Sequence, residues 1–139
     1  MGWSVGILES FNIDNLEDNA YQVGTLSQDV INLLNLSMDE TAIMLGDDRI
    51  KYTSKHSHEF KSYETYKNCV NSIPHIIACP DYVALHPSGK SIEYIKQLDD
   101  IVLVAVRIRP RGNLWFRSLY PISPSKLSRY IKEGTAKKL

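Results

Sequence analysis

The residues best suited to chemistry are a histidine beside a lysine and a run of arginines set among aromatics. Lys55-His56 follows Ser54, a good helix N-cap, and Glu59 comes in the first turns. A histidine titrates near neutrality and so can take or give a proton. A neighbouring ammonium lowers that pKa and helps to hold an anion, and a helix start offers backbone N–H groups to a phosphate. Taken alone, the pair is also what a solvated surface turn contains.

The arginines lie in Asp99–Tyr120, the most strongly patterned stretch of the chain. Ile101–Val106 is apolar on both faces, Arg107 and Arg109 then share one face, and the chain returns through aromatic and basic residues after Pro110-Arg111-Gly112-Asn113. Alternating β-branched residues around a Gly-containing turn predict two antiparallel strands. With Arg111-Gly112 at the tip, Arg109 falls opposite Leu114, Arg107 opposite Phe116 and Ala105 opposite Ser118. One face then carries Val102, Val104, Val106, Ile108, Trp115 and Leu119, a core face that Arg117 interrupts. The other carries Arg107, Arg109, Phe116, Ser118 and Tyr120, a mixture of guanidinium, aromatic and hydroxyl groups suited to phosphates and bases. A slip of one residue sends the arginines into the core, so the pattern favours this register. Arg117 sits either at the sheet's rim or beside a bulge that swaps its face; a plain half-solvated strand pair is the alternative for the whole element.

Other motifs carry less. Gly89-Lys90-Ser91 lacks the glycine a phosphate loop needs at position 84, where Ala84 stands. His56, His58, His75 and His86 with Cys69 and Cys79 fit none of the usual zinc spacings, so no metal site is expected. Two cysteines suggest buried thiols in a reducing compartment, with cytoplasm the default. No apolar run approaches the roughly 20 residues needed to span a bilayer, and MGWSVGILES reads as neither a secretory signal nor a myristoylation motif.

At 139 residues with formal net charge 0, the chain is expected to form one domain with its own core. That zero conceals a gradient: residues 1–50 carry −8, residues 51–100 carry 0 and residues 101–139 carry +8. The last third can meet a polyanion, while the acidic first third can also simply fold over the basic end.

The elements that must position these residues read as follows. A short strand is expected at Trp3–Leu8, then a helix over Gln28–Asn35 capped by Thr25 or Ser27. A second short helix starts at Asp39 with Gly46 as its stop, followed by a strand over Arg49–Thr53. Helices are expected from Lys55-His56, over Tyr63–Asn71 and over Ile73–Pro80, and a strand over Tyr82–His86. Ser91–Lys96 reads as a strand with helix possible. After the two long strands, Ser123 or Ser125 caps a helix over Lys126–Glu133, and Thr135–Leu139 frays. Helices in the first half and strands in the second argue for an α+β fold with an antiparallel sheet.

With those elements in hand, the chain resembles the phage-associated PBECR domains of the barnase–EndoU–colicin–RelE-like nuclease superfamily. The likeness rests on Lys55-His56, Ile76–Tyr82, Ser91–Lys96 and Trp115–Pro121, and covers roughly residues 23–134, leaving 1–22 as a peripheral segment and 135–139 as a tail. It implies a helical N-terminal half packed on a four-stranded antiparallel sheet. It also implies metal-independent, cofactor-free RNA cleavage, in which a 2′-hydroxyl attacks the adjacent phosphate to give a cyclic phosphate. His56 would be base or acid, Arg107 and Lys55 would stabilise the transition state, and Ser118 and Tyr120 would bind the phosphate or position the sugar. Arg109, Arg111, Arg117, Phe116 and Lys96 would contact RNA; the acid is unassigned. The reading is an endoribonuclease acting as a toxin or phage or mobile-element effector, with a cognate antitoxin or immunity protein possible and no membrane partner. A non-catalytic RNA-binding or adaptor domain is the alternative. A third reading makes the acidic first 50 residues a nucleic-acid mimic directed at another protein.

Overall fold

A computed structural model describes residues 20–139; the strand expected at Trp3–Leu8 lies outside them. The described residues form one sheet of seven strands with five helices. In chain order these are β1 Ala20–Leu26, α1 Gln28–Leu34, β2 Thr41–Gly46, α2 Asp47–Thr53, a 3-10 segment Ser54–Glu59, α3 Tyr63–Asn71, α4 Ile73–Ala78, β3 Tyr82–Leu85, β4 Ser91–Gln97, β5 Ile101–Arg107, β6 Leu114–Ile122, α5 Pro124–Lys132 and β7 Ala136–Lys138. The strand order is β1-β2-β6-β5-β4-β3-β7, antiparallel throughout except where β2 meets β6 in parallel. The fold is α+β as expected, but the expected four-stranded antiparallel sheet is corrected to a seven-stranded mixed one.

Local signals explain the elements that were foreseen. Ser27, Ser62 and Ser123 cap α1, α3 and α5, each side chain accepting from the backbone N–H three residues on. Pro74 opens α4 and Pro80 follows it, where neither ring obstructs the helix.

Three expectations fail, each for a reason of context. Thr41–Gly46 is a strand, not a helix: Ile43 and Leu45 are buried while Ala42 and Met44 are half-buried, a period of two that β1 and β6 complete on either side. Arg49–Thr53 belongs to a helix, not a strand, with Asp47 and Asp48 in its first turn and Ile50 and Thr53 buried three residues apart. The tail does not fray, because Ala136–Lys138 pairs with β3 and closes that edge of the sheet.

Alternation splits the strands between two faces. Val102, Val104 and Val106 of β5, with Ile92, Tyr94, Leu114, Phe116 and Leu119, join the larger apolar cluster with α1, α3 and α4. The fit there is close: a Cβ on Gly24 of β1 would lie 2.6 Å from Cγ2 of Ile77 on α4. The opposite face holds Leu103, Ala105, Ile95, Ala84, Ile101, Ile122 and Ala136, against which Leu127 and Tyr130 of α5 pack. α5 covers only part of that face.

Candidate nucleic-acid cleft

The uncovered part of the second face is floored by three strands. Glu93 of β4 stands opposite Ala105 of β5, and Ala105 stands opposite Ser118 of β6. A methyl group between the carboxyl and the hydroxyl leaves the floor low. Over it open His56 of the 3-10 segment, Arg49 and Tyr52 of α2, and His86 and Lys90 of the β3–β4 turn, enclosing a cleft of about 480 Å³.

A bulge in β6 shapes one wall. Val106 pairs with Phe116 and Ala105 with Ser118, so Arg117 is an extra residue without a partner on β5. Both Arg117 and Ser118 therefore line the cleft. The Arg117 carbonyl accepts from Arg49 Nε at 3.1 Å and Nη2 at 2.7 Å, which ties α2 to the bulge. Buried Thr53 adds a second tie: its Oγ1 accepts the Leu119 N–H at 3.2 Å and lies 3.2 Å from Ser118 Oγ. β2 leaves the side of β6 after Trp115, and α2 supplies the hydrogen bonds beyond it.

The bulge settles the face assignments. Arg117 faces the cleft and not the core. Below it the register shifts by one, so Trp115 shares the Arg107 side of the sheet and Phe116, 1% exposed, lies in the core. Phe116 is thus corrected from the cationic face to the apolar one, and Trp115 from the apolar to the cationic.

Glu93, His56, His86 and Tyr120 meet in the cleft. Glu93 is 2% exposed, its Oε1 has no hydrogen-bond partner, and burial pushes its carboxyl pKa up against the opposing pull of His86 and Lys126. His56 Nδ1 contacts the Glu59 carboxylate, an acceptor that fixes the proton on Nδ1 and leaves Nε2 to exchange with a ligand. His86 Nδ1 accepts the Ser88 N–H at 3.1 Å, so a neutral His86 carries its proton on Nε2. Tyr120, its ring centroid 5.7 Å from that of His56, is pushed up to about 12, by burial first and by Glu93 next. It remains a neutral hydroxyl donor in the physiological range.

Of the residues expected at a site, His56, Arg117, Ser118 and Tyr120 come together here. Arg107 and Arg109 line an adjoining cleft instead. Lys55 stays outside: its ammonium binds the Tyr52 hydroxyl and lies 3.8 Å from that ring's centroid, which lowers the tyrosine's pKa. Lys96 is tied to the Cys79 carbonyl at 2.7 Å and to Asp81, in register with Val102 towards the far end of β4. Arg111 is exposed in the hairpin turn. Among the described residues no three His, Cys, Asp or Glu side chains group as metal ligands.

Glu93, Arg49 and His86 were not foreseen. Glu93 had a signal, since extending the β5 register across to β4 sets the acid of Ser91–Gln97 beside Ala105. Arg49 had none, because it was expected in a strand. His86 was weighed only as a zinc ligand and as the end of the Tyr82–His86 strand.

A sheet floor with a buried carboxyl, histidines and guanidinium groups around it has the chemistry to hold a phosphate-bearing ligand. The chain belongs to the PBECR3 family, described as phage-Barnase-EndoU-ColicinE5/D-RelE like nuclease3, whose profile matches residues 21–129. It is therefore a domain of the BECR nuclease superfamily, as its sequence motifs suggested. No curated protein and no solved structure matches it significantly.

Proposed function

We propose that this nuclease-family domain is an endoribonuclease that cuts RNA by internal attack of a 2′-hydroxyl, with no metal in the reaction. The observation that carries the proposal is the pairing of Glu93, a buried carboxyl with raised pKa, with His56 in one cleft bordered by Arg49 and Arg117. A carboxylate with a raised pKa is a stronger base than an ordinary one, and an imidazolium held by Glu59 is a ready acid. Glu93 takes the 2′-hydroxyl proton as the O2′–P bond forms. His56 Nε2 gives its proton to O5′ as the P–O5′ bond breaks, leaving a 2′,3′-cyclic phosphate and a 5′-hydroxyl. Arg117, whose guanidinium has no carboxylate partner among the described residues, offsets the charge that builds on the phosphoryl oxygens, with Arg49 and the His86 Nε2–H beside it. Tyr120 donates to the same oxygens or to the sugar.

The test is cleavage of end-labelled RNA in EDTA with analysis of the new ends. Cyclic phosphate ends from the wild type, lost in His56→Ala, are expected. Equal cleavage by both proteins sinks the role of His56; tight RNA binding without cleavage by either favours the adaptor reading. Growth arrest on expression, relieved by a co-encoded inhibitor, is the outcome expected of a toxin or phage effector working in the cytoplasm. Among the described residues no helix is long and apolar enough to cross a membrane.

A further inference from the structure

The cleft around His56 does not end at Arg117. Arg49, Tyr52 and Arg117 line both it and a second cleft of about 480 Å³, whose other walls include Arg107, Arg109 and Trp115. In the second cleft Trp115 is half-buried, with the Arg109 guanidinium 6.0 Å from its ring centroid. Arg107 and Arg109 are exposed, and neither has a carboxylate partner among the described residues. The β6 bulge creates this arrangement, since it turns Trp115 to the side of Arg107. A flat indole between unpaired guanidinium groups suits a base stacked on the ring and phosphates held at its edges.

We infer that the Trp115 cleft is a nucleotide subsite, stacking one base of a single-stranded RNA whose backbone passes over Arg117 from the His56 cleft. This rests on the nuclease reading for what happens at His56, but the binding itself does not require cleavage. Arg117 is the hinge of the path: with Arg49 and Tyr52 it lines both clefts, and it is the exposed one of the two arginines.

The experiment uses the full chain with Trp3→Phe, so that all indole emission comes from Trp115. An uncleavable 2′-O-methyl RNA decamer is expected to quench that emission saturably. Arg109→Ala, an exposed change that leaves the core untouched, should weaken binding severalfold and flatten the salt dependence. In cleavage assays, an abasic residue scanned along the RNA should slow the wild type about tenfold or more at one position, and Trp115→Ala should erase that penalty while Trp115→Phe keeps most of it. Absence of quenching overturns the subsite, as does equal quenching by polyglutamate, which would mark the cleft as a seat for an acidic protein. An abasic penalty unchanged in Trp115→Ala overturns it as well. Cleavage without quenching removes the subsite and leaves the nuclease reading; quenching without cleavage does the reverse.

Discussion

The two faces of the sheet are built from the same strands and meet opposite fates. One face is closed by α1, α3 and α4 over a large apolar cluster, while the other is covered by α5 only in part. Neighbouring residues of β4 make the contrast sharp. Ile92 is fully buried in the helix-covered core, and Glu93, next in the chain, is buried on the open side with an unpartnered carboxyl oxygen. Burial on the first face removes apolar surface from water; burial on the second raises a carboxyl's proton affinity. The proposed site lies where the sheet is least well covered.

The largest effect expected from breaking this contrast is on cleavage. Glu93→Gln keeps the shape and loses the base, so RNA cleavage should fall by about 10²-fold or more while Tm holds or rises. The pH dependence follows from the raised pKa. Because the folded carboxyl binds its proton more tightly than the unfolded one, its ionisation opposes folding. Stability is greatest below the ordinary glutamate pKa and declines as pH rises towards the raised value. Denaturant midpoints of wild type and Glu93→Gln should therefore be closest in acid and diverge towards neutral pH; parallel curves would deny Glu93 its raised pKa.

Ile92→Ala should do the opposite to its neighbour, costing about 2–5 kcal/mol of unfolding free energy from urea curves. Its effect on kcat at a temperature where it stays folded should be small. Thr53→Val comes next, at about 1–3 kcal/mol, because it leaves the Leu119 N–H and Ser118 hydroxyl without their buried partner. It should also loosen α2 and lower cleavage with it; unchanged stability would show that water replaces the hydroxyl. The smallest effect belongs to Lys96→Ala, whose ammonium is held by Cys79 and Asp81. RNA affinity should stay within about twofold, whereas Arg117→Ala should weaken it and reduce the salt slope by about 0.7.

Much of this was legible because it is local. Ser27, Ser62 and Ser123 announce their helices, and the β5–β6 hairpin follows from alternation and its Gly112 turn, with Ala105 opposite Ser118 as expected. The registers between Ser118 and the turn were not: Arg117 on an otherwise apolar face hinted at a bulge, but the pattern did not choose between a bulge and the sheet's rim. A tie that holds the bulge comes from 68 residues away, in the Arg49 guanidinium that binds the Arg117 carbonyl. His56 stood out by its chemistry alone, and it lines the cleft. The place of Glu93 beside Ala105 could be had by extending the β5 register to β4, but that the 3-10 segment brings His56 into the same cleft could not.

The sequence by itself determined the α+β class, four of the helices, the central hairpin, the cationic C-terminal third and membership of a nuclease family. Capping, periodicity and short motifs act over a few residues and survive in a linear reading. Only the tertiary structure decided that Thr41–Gly46 and Ala136–Lys138 are strands, that β2 and β6 run parallel, and that Phe116 and Trp115 exchange faces. Those outcomes depend on which distant backbone groups are left needing a hydrogen bond, and a segment of ambiguous pattern takes whatever form satisfies them.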